Sequence, residues 1–190
     1  MLIRDYQNSD EQQWLQCRVL AFLHTAYYDD VYNKKAKYDN KSIELVAVKD
    51  NLIVGLLDIE LLKTKQSTDL AMICHIAVLP NYQKQGIATA LLKVAESRLQ
   101  KINISLVEAW TRDDKFVNDW YVKSGFELTQ SYLHVYLEGK ECDSIFSSNT
   151  AKLYAEKIFA HYVGNNKTEI KQKYKRVHDC NCYQKALKLL

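Results

Sequence analysis

The chain reads as an α/β protein with a mixed sheet, and three observations carry that reading. Strand-like and helix-like segments follow one another along 190 residues in the order β-α-α-β-β-β-α-β-α-β-β. Hydrophobic residues make up 47% and charged residues 26%, the balance of a globular chain long enough to bury a sizeable core. Between Ile73 and Leu99 an apolar strand, a proline, a short polar loop and an amphipathic helix succeed one another without a break.

Leu2–Tyr6 forms a short first strand. Ser9, with Gln12 three residues on, has capping-box spacing for a helix through about Leu23. Trp14, Cys17, Ala21 and Leu20 supply its apolar stripe. His24–Lys37, rich in Tyr and Asp, is helical or irregular. Glu44–Lys49 and Leu52–Glu60 flank the turn-prone pair Asp50-Asn51 and predict a hairpin. A strand over Leu70–Val78 precedes the loop, and a helix over Gly86–Gln100 places Ile87, Ala90, Leu91, Val94, Ala95 and Leu99 at helical spacing.

Ser105–Trp110 is the next strand. A helix starting at Asp113 carries Phe116, Val117, Trp120 and Tyr121 and is stopped by Gly125. Phe126 to about Leu137 is a strand, and Val177–Leu187 is the last one. Between them the spacing of Leu153, Tyr154, Ile158 and Phe159 predicts an amphipathic helix around 150–163. The chain is expected to be one domain over 1–190, with 139–172 an insertion between the last two strands.

No apolar run reaches bilayer-spanning length and the N-terminus MLIRDYQNSD lacks a signal-peptide pattern, so a cytoplasmic location is expected. Five cysteines without CxxC spacing read as reduced thiols, and His178-Asp-Cys-Asn-Cys182 matches no common zinc pattern, so no metal is expected. Net charge is +3, with residues 1–150 carrying 17 Lys+Arg against 20 Asp+Glu and residues 151–190 carrying 9 against 3. A nucleic-acid or membrane footprint would need a broader basic face than Lys171–Arg176 offers, so neither partner is expected.

Gln83-x-x-Gly86-x-Ala88, after a strand ending Val78-Leu79-Pro80, opens the central helix. A helix N-terminus offers unpaired N–H groups and the positive end of its dipole, which suit a phosphate. The segment resembles the acetyl-CoA pyrophosphate loop of the GNAT (general-control-related N-acetyltransferase) superfamily, in its small bacterial-type single-domain form. Asn118-Asp-Trp-Tyr121-Val-Lys-Ser-Gly125-Phe126 resembles that family's Tyr-Glu-Lys-x-Gly-Phe segment. The resemblance implies a mostly antiparallel central sheet, acetyl-CoA or coenzyme A as cofactor, and transfer of acetyl to a primary amine.

Further implications of the resemblance concern individual residues. Pantetheine would lie along Ile76, Ala77 and Val78. The pyrophosphate would take amides from Lys84, Gln85, Gly86, Ile87 and Ala88, with Thr89 in the first helical turn and Gln83 holding the loop. Tyr121 would protonate the departing thiolate, whose thiol has a pKa near about 8.5. Asp114 stands where relatives place a pantetheine-binding Asn, with Asn118 as a fallback. The strand Ala71–His75 offers no carboxylate base, and His75 reads as a packed strand residue. A base must then come from elsewhere or act through water: Asp58, Glu60, Glu108 and His134 are the candidates, Glu108 and Glu60 first, and any of them could equally hold the acceptor ammonium. A small-molecule amine (amino acid, polyamine or aminoglycoside-like) is the expected acceptor, and a homodimer is possible by analogy. A protein lysine or N-terminal acceptor, a catalytically silent acyl-CoA sensor, and a basic interaction module at 151–190 are the competing readings.

Overall fold

A computed structural model describes residues 1–62 and 70–188. It contains an eight-stranded sheet built from β1 (Leu2–Asp5), β2 (Ser42–Lys49), β3 (Leu52–Leu62), β4 (Leu70–Val78), β5 (Leu106–Arg112), β6 (Glu127–Glu138), β7 (Lys157–Tyr162) and β8 (Arg176–Ala186). The spatial order is β1-β2-β3-β4-β5-β8-β6-β7. Every neighbouring pair is antiparallel except β4 and β5. Helix α1 (Glu11–Phe22) packs on one face, and α2 (Ile87–Lys101) and α3 (Lys115–Lys123) pack on the other.

Asp50 and Asn51 both take positive φ, 51° and 61°, as a two-residue hairpin turn between right-twisted strands requires. The start of α1 differs from expectation. A 3-10 turn at Asn8–Asp10 comes first, so Ser9 lies inside it and the reciprocal cap joins Gln7 to Asp10. The Asp10 carboxylate accepts the Gln7 amide at 2.8 Å and both Arg4 nitrogens at 2.6 and 2.9 Å, which holds it below the usual carboxylate range. On α1 the buried stripe is Trp14, Cys17, Arg18 and Ala21, while Leu20 is exposed. The i, i+3, i+4, i+7 positions face the sheet whatever occupies them, so the charged Arg18 is buried and the apolar Leu20 is not.

The α2 face is the larger core: Ile87, Leu91, Leu92, Ala95 and Leu99 pack on Leu45, Leu57, Ile59, Ala71, Ile73, Val107 and Ala109. Gly55 on β3 sets how closely α2 approaches. A Cβ there would lie 2.8 Å from Ile87 Cγ2 and 3.3 Å from the Ala77 carbonyl oxygen.

The 139–172 segment departs most from the sequence reading. A helix does occur there, α4 (Lys167–Lys173), but residues 157–162 form β7, paired to β6 from Leu133↔Tyr162 to Glu138↔Lys157. Leu153 and Tyr154 are exposed. Ile158, Ala160 and Tyr162 face Leu133, Val135, Leu137 and Cys142, whereas Phe159 points the other way. The period is two, and the β-rich composition of Ile-Phe-Ala-His-Tyr-Val follows it. β6 and β8 still pair directly, so β7 extends the sheet as an outer strand.

Where α1 crosses β4, the His75 ring meets Trp14 edge-on at 5.3 Å and accepts a long contact from Arg18 Nε at 3.5 Å. Burial, with Arg18 and Lys35 nearby, pushes its pKa down to about 3.

Two outcomes follow from this packing. Gly55→Ala is expected to destabilise the fold by about 1–3 kcal/mol, read as a lowered denaturant midpoint, because β3 and α2 must separate. The second concerns pH. The folded state keeps His75 neutral while the unfolded chain protonates near its ordinary 6.5, so stability contributed by neutral His75 is present above pH 6.5 and is lost as pH falls toward 3. Each pH unit inside that window costs up to about 1.4 kcal/mol. His75→Gln is expected to show a flatter stability profile than the parent between pH 6.5 and 4, by denaturant unfolding.

Candidate active site

β4 and β5 pair only from Leu70↔Leu106 to Ile73↔Ala109. Beyond that point β3 continues to pair β4 up to Val78, and β8 continues to pair β5 up to Arg112. The two central strands therefore part, and a trench opens between them. Leu79 N–H donates to the Val54 carbonyl at 3.0 Å, toward β3. By strand alternation Ala77 also faces β3, while the N–H and C=O of Ile76 and Val78 face the trench.

The loop after β4 is held by its own side chains. Gln83 Nε2 donates to the Val78 carbonyl at 3.1 Å, and Gln85 Nε2 to the Asn81 carbonyl at 3.2 Å. Pro80 opens a 3-10 turn, and Lys84 and Gly86 take φ of 59° and 80°. These left-handed residues turn the amides before α2 into one concave surface, continued by Ile87, Ala88 and Thr89, whose N–H groups have no intrahelical acceptor. A Cβ at Gly86 would meet nothing within 4 Å, so the concavity is open on that side. Thr89 Oγ1 receives Trp120 Nε1 at 3.3 Å, tying the first turn of α2 to α3.

Two clefts meet in the trench. The larger, about 520 Å³, is lined by Ile76–Val78, the loop from Tyr82 to Thr89, and Phe116, Val117 and Trp120 of α3. The smaller, about 200 Å³, is lined by Arg18, Tyr27, Asp30, Tyr32, Cys74, His75, Trp110, Asp114 and Tyr121 among others. Phe22, Thr25, Ile76 and Val117 belong to both, so the clefts join beside the free edge of β4.

Tyr121 stands in the smaller cleft, buried and stacked on Tyr183 with centroids 5.3 Å apart at 12°. Trp120 and Phe126 meet its ring edge-on at 5.0 and 5.2 Å. Gly125, at φ 85°, lets the chain double back so that Phe126 N–H reaches the Tyr121 carbonyl at 3.1 Å. Burial raises the phenol pKa above its ordinary value, so the group holds its proton at neutral pH.

The other sequence candidates are dispersed. Asn118 lines neither cleft: its amide donates to the Arg112 and Asp114 carbonyls at 2.7 and 2.9 Å and accepts from Asn181 and Tyr183 at 2.8 and 2.9 Å. Asp114 lines the smaller cleft, not the larger one. Glu108 receives Trp110 Nε1 and Gln184 Nε2, each at 2.8 Å, and Glu60 receives Asn40 N and Nδ2 at 3.1 and 2.9 Å. Asp58 is fully buried against Lys35 Nζ at 2.8 Å and Tyr38 Oη at 2.9 Å. His134 receives Arg112 Nε at 3.3 Å and stacks on His161 at 4.8 Å, and burial beside Arg112 pushes its pKa down to about 4. None of these four lines either cleft.

What sequence reasoning missed is the covering loop. Residues 24–37 carry Tyr27, Asp30 and Tyr32 into the smaller cleft. Ala26 is gripped on both sides: its N–H donates to Asp114 Oδ1 and Oδ2 at 3.1 Å, and its carbonyl accepts from Arg112 Nη1 and, at 3.3 Å, Arg176 Nη2. Arg176 also binds Asp29 through two nitrogens at 2.5 and 2.8 Å, and Arg112 lies 4.0 Å over the Tyr27 ring. The signal was present in the Tyr/Asp-rich composition and in an arginine four residues after Trp14 on a buried stripe.

The acetyltransferase (GNAT) domain family matches residues 7–135. No curated protein matches the chain. Among solved structures it is similar to an acetyltransferase of the GNAT family from Streptococcus pneumoniae, with TM-score 0.65 and 14% identity over 98% of this chain and 99% of that one. The ribosomal-protein-S18-alanine N-acetyltransferase from Escherichia coli gives TM-score 0.61 and 12% identity over 100% and 95%. The PaiA N-acetyltransferase from Thermoplasma acidophilum, in complex with coenzyme A, gives TM-score 0.56 and 14% identity over 67% and 90%. Such low identities speak to the fold, and the family match over most of the length speaks to kinship. The chain belongs to the GNAT acetyltransferase family of acetyl-CoA-dependent N-acetyltransferases.

Proposed function

We propose that this chain transfers the acetyl group of acetyl-CoA to a small primary amine by direct attack in a ternary complex. The observation that carries the proposal is the junction of the two clefts at Ile76, which brings an amide-lined loop, an unpaired strand edge and a buried phenol into one trench. In the neighbour from Thermoplasma acidophilum a coenzyme A accompanies the same fold. Acetyl-CoA supplies an acyl carbon already activated as a thioester.

This chain's residues fit such a group. The amides from Lys84 to Ala88 suit its pyrophosphate, and the edge of β4 suits the amide-bearing pantetheine arm as an added strand would. The Ile76 N–H, turned into the trench, is placed to stabilise negative charge on the thioester oxygen. The phenol of Tyr121, kept protonated by burial, is the acid for the departing sulfur. A small acceptor is favoured by the size of the second cleft, about 200 Å³ and covered by the 24–37 loop. Among the described residues no helix is long and apolar enough to cross a membrane.

The direct test is thiol release from acetyl-CoA across amino acids, polyamines, aminoglycosides and an alanine-initiated peptide. Release with small amines supports the reading. Cofactor binding without amine-dependent release would favour the sensor, and release with the peptide alone would move the acceptor to protein. Tyr121→Phe keeps the stack on Tyr183 and removes the proton, so kcat is expected to fall about 10²–10⁴-fold with acetyl-CoA affinity nearly unchanged, by steady-state kinetics and calorimetry. Gly86→Ala forces a side chain into left-handed backbone at a cost of about 1–2 kcal/mol, so the Kd for acetyl-CoA is expected to rise roughly tenfold by calorimetry.

A further inference from the structure

An ammonium acceptor must lose a proton before its nitrogen can attack. Glu60, Glu108, Asp58 and His134, the groups the sequence offers for this step, stand outside both clefts with partners of their own. His75 lines the acceptor cleft, but as a base of pKa about 3 it is too weak to hold an ammonium proton. Two carboxylates line that cleft, Asp30 and Asp114. Asp30 is committed: Arg18 binds its carboxylate at 2.7 Å and its carbonyl at 2.6 Å.

Asp114 has no cation within ion-pair distance among the described residues, and both its oxygens face a single donor, the Ala26 N–H at 3.1 Å. It occupies the N-cap of α3, yet its side chain makes no capping bond to the helix amides. The carboxylate instead meets the covering loop at Ala26, and the residue lines the smaller cleft. Seven residues further on, about two turns along α3, is Tyr121, which lines the same cleft.

We propose that Asp114 is the general base of the acetyl transfer, taking the first proton from the bound ammonium group. The inference rests on the N-acetyltransferase reading above. The first amine proton passes to Asp114 and then to solvent. The nitrogen lone pair forms the N–C bond as the C–S bond breaks. Tyr121 gives its proton to the sulfur and recovers the second proton from the nitrogen. The net products are an amide, a thiol and one released proton.

Half-burial raises the Asp114 pKa, which strengthens it as a base. The charged or titratable groups around it are Asp113, Arg112 on β5, His178 on β8 (paired to Asp113 at 2.9 Å), Tyr27, Asp30 and Tyr32 of the loop, Arg18 of α1, Cys74 and His75 of β4, and Tyr121 of α3.

Asp114→Asn is the test, because the amide oxygen still accepts from Ala26 and the loop stays attached. Two nucleophiles are compared with acetyl-CoA: the best amine from the panel, protonated at neutral pH, and hydroxylamine, which is uncharged there. The expected result is a loss of about 10²–10⁴-fold in kcat for the protonated amine, little change for hydroxylamine, and loss of the acid limb of kcat/KM against pH. Asp114→Ser, which also keeps an acceptor for Ala26, should behave alike and serves if the Asn variant is unstable. Equal losses for both nucleophiles would make Asp114 a support for the loop, and unchanged rates would send the proton elsewhere; either overturns the proposal. If the parent protein releases no thiol with any amine, the acetyltransferase reading itself fails and takes this inference with it.

Discussion

The parting of β4 from β5 after Ile73 and Ala109 is the constraint on which the rest of the structure depends. A parallel pair inside a sheet normally satisfies both edges of each strand, and buried backbone groups without partners are costly. Here the inward groups of Ile76 and Val78 open onto a trench instead. Val78 has its carbonyl met by the Gln83 side chain, which folds the loop back against the strand end. A strand edge left open in this way is a template for any molecule that carries its own amides. The same divergence makes room for α3 to bring Trp120 and Tyr121 toward it from β5.

The trench keeps its dimensions because the elements around it are set by close contacts. Gly55 lets Ile87, the first residue of α2, sit against β3, so the helix N-terminus is low over the sheet where the loop needs it. On the other side the 24–37 loop is fixed at one peptide, Ala26, with a carboxylate on its N–H and guanidinium groups on its carbonyl. Arg112 and Arg176 are themselves stacked on Tyr27, Tyr28 and Tyr136, which lowers the cost of withdrawing them from water. The insertion enters here, since Arg176 opens β8 directly after α4.

The legible parts of this molecule are those specified by local rules. The Asp50-Asn51 hairpin, the strand running into Pro80, the left-handed Gly125, and the helices on either side all follow from turn chemistry and periodicity within a few residues. The insertion was misjudged because Leu153, Tyr154, Ile158 and Phe159 fit a helical period as residues, while the pairing partner that selects β7 lies some twenty positions earlier, on β6. The partners of the candidate carboxylates were hidden for a related reason. Strand alternation says which face Asp58, Glu60 and Glu108 occupy, but not whether Lys35, Asn40 or Gln184 already holds them. Arg18 shows the converse: its helical position decided its burial, and its chemistry was met by Asp30 and Tyr32 from a loop without periodicity.

Burial then decides the charge state of the smaller cleft. It keeps the phenol of Tyr121 protonated and the imidazole of His75 unprotonated, so both are neutral at pH 7. Arg18 and Asp30 cancel one another across 2.7 Å. Among the lining side chains this leaves the Asp114 carboxylate as the unbalanced charge. On the assignment proposed for this cleft, a cationic acceptor is attracted and the neutral amide formed from it is not, so the charge lost in the reaction would also be the charge that held the acceptor in place. Loss of that attraction would then favour departure of the product while the contacts that hold the loop at Ala26 stay in place.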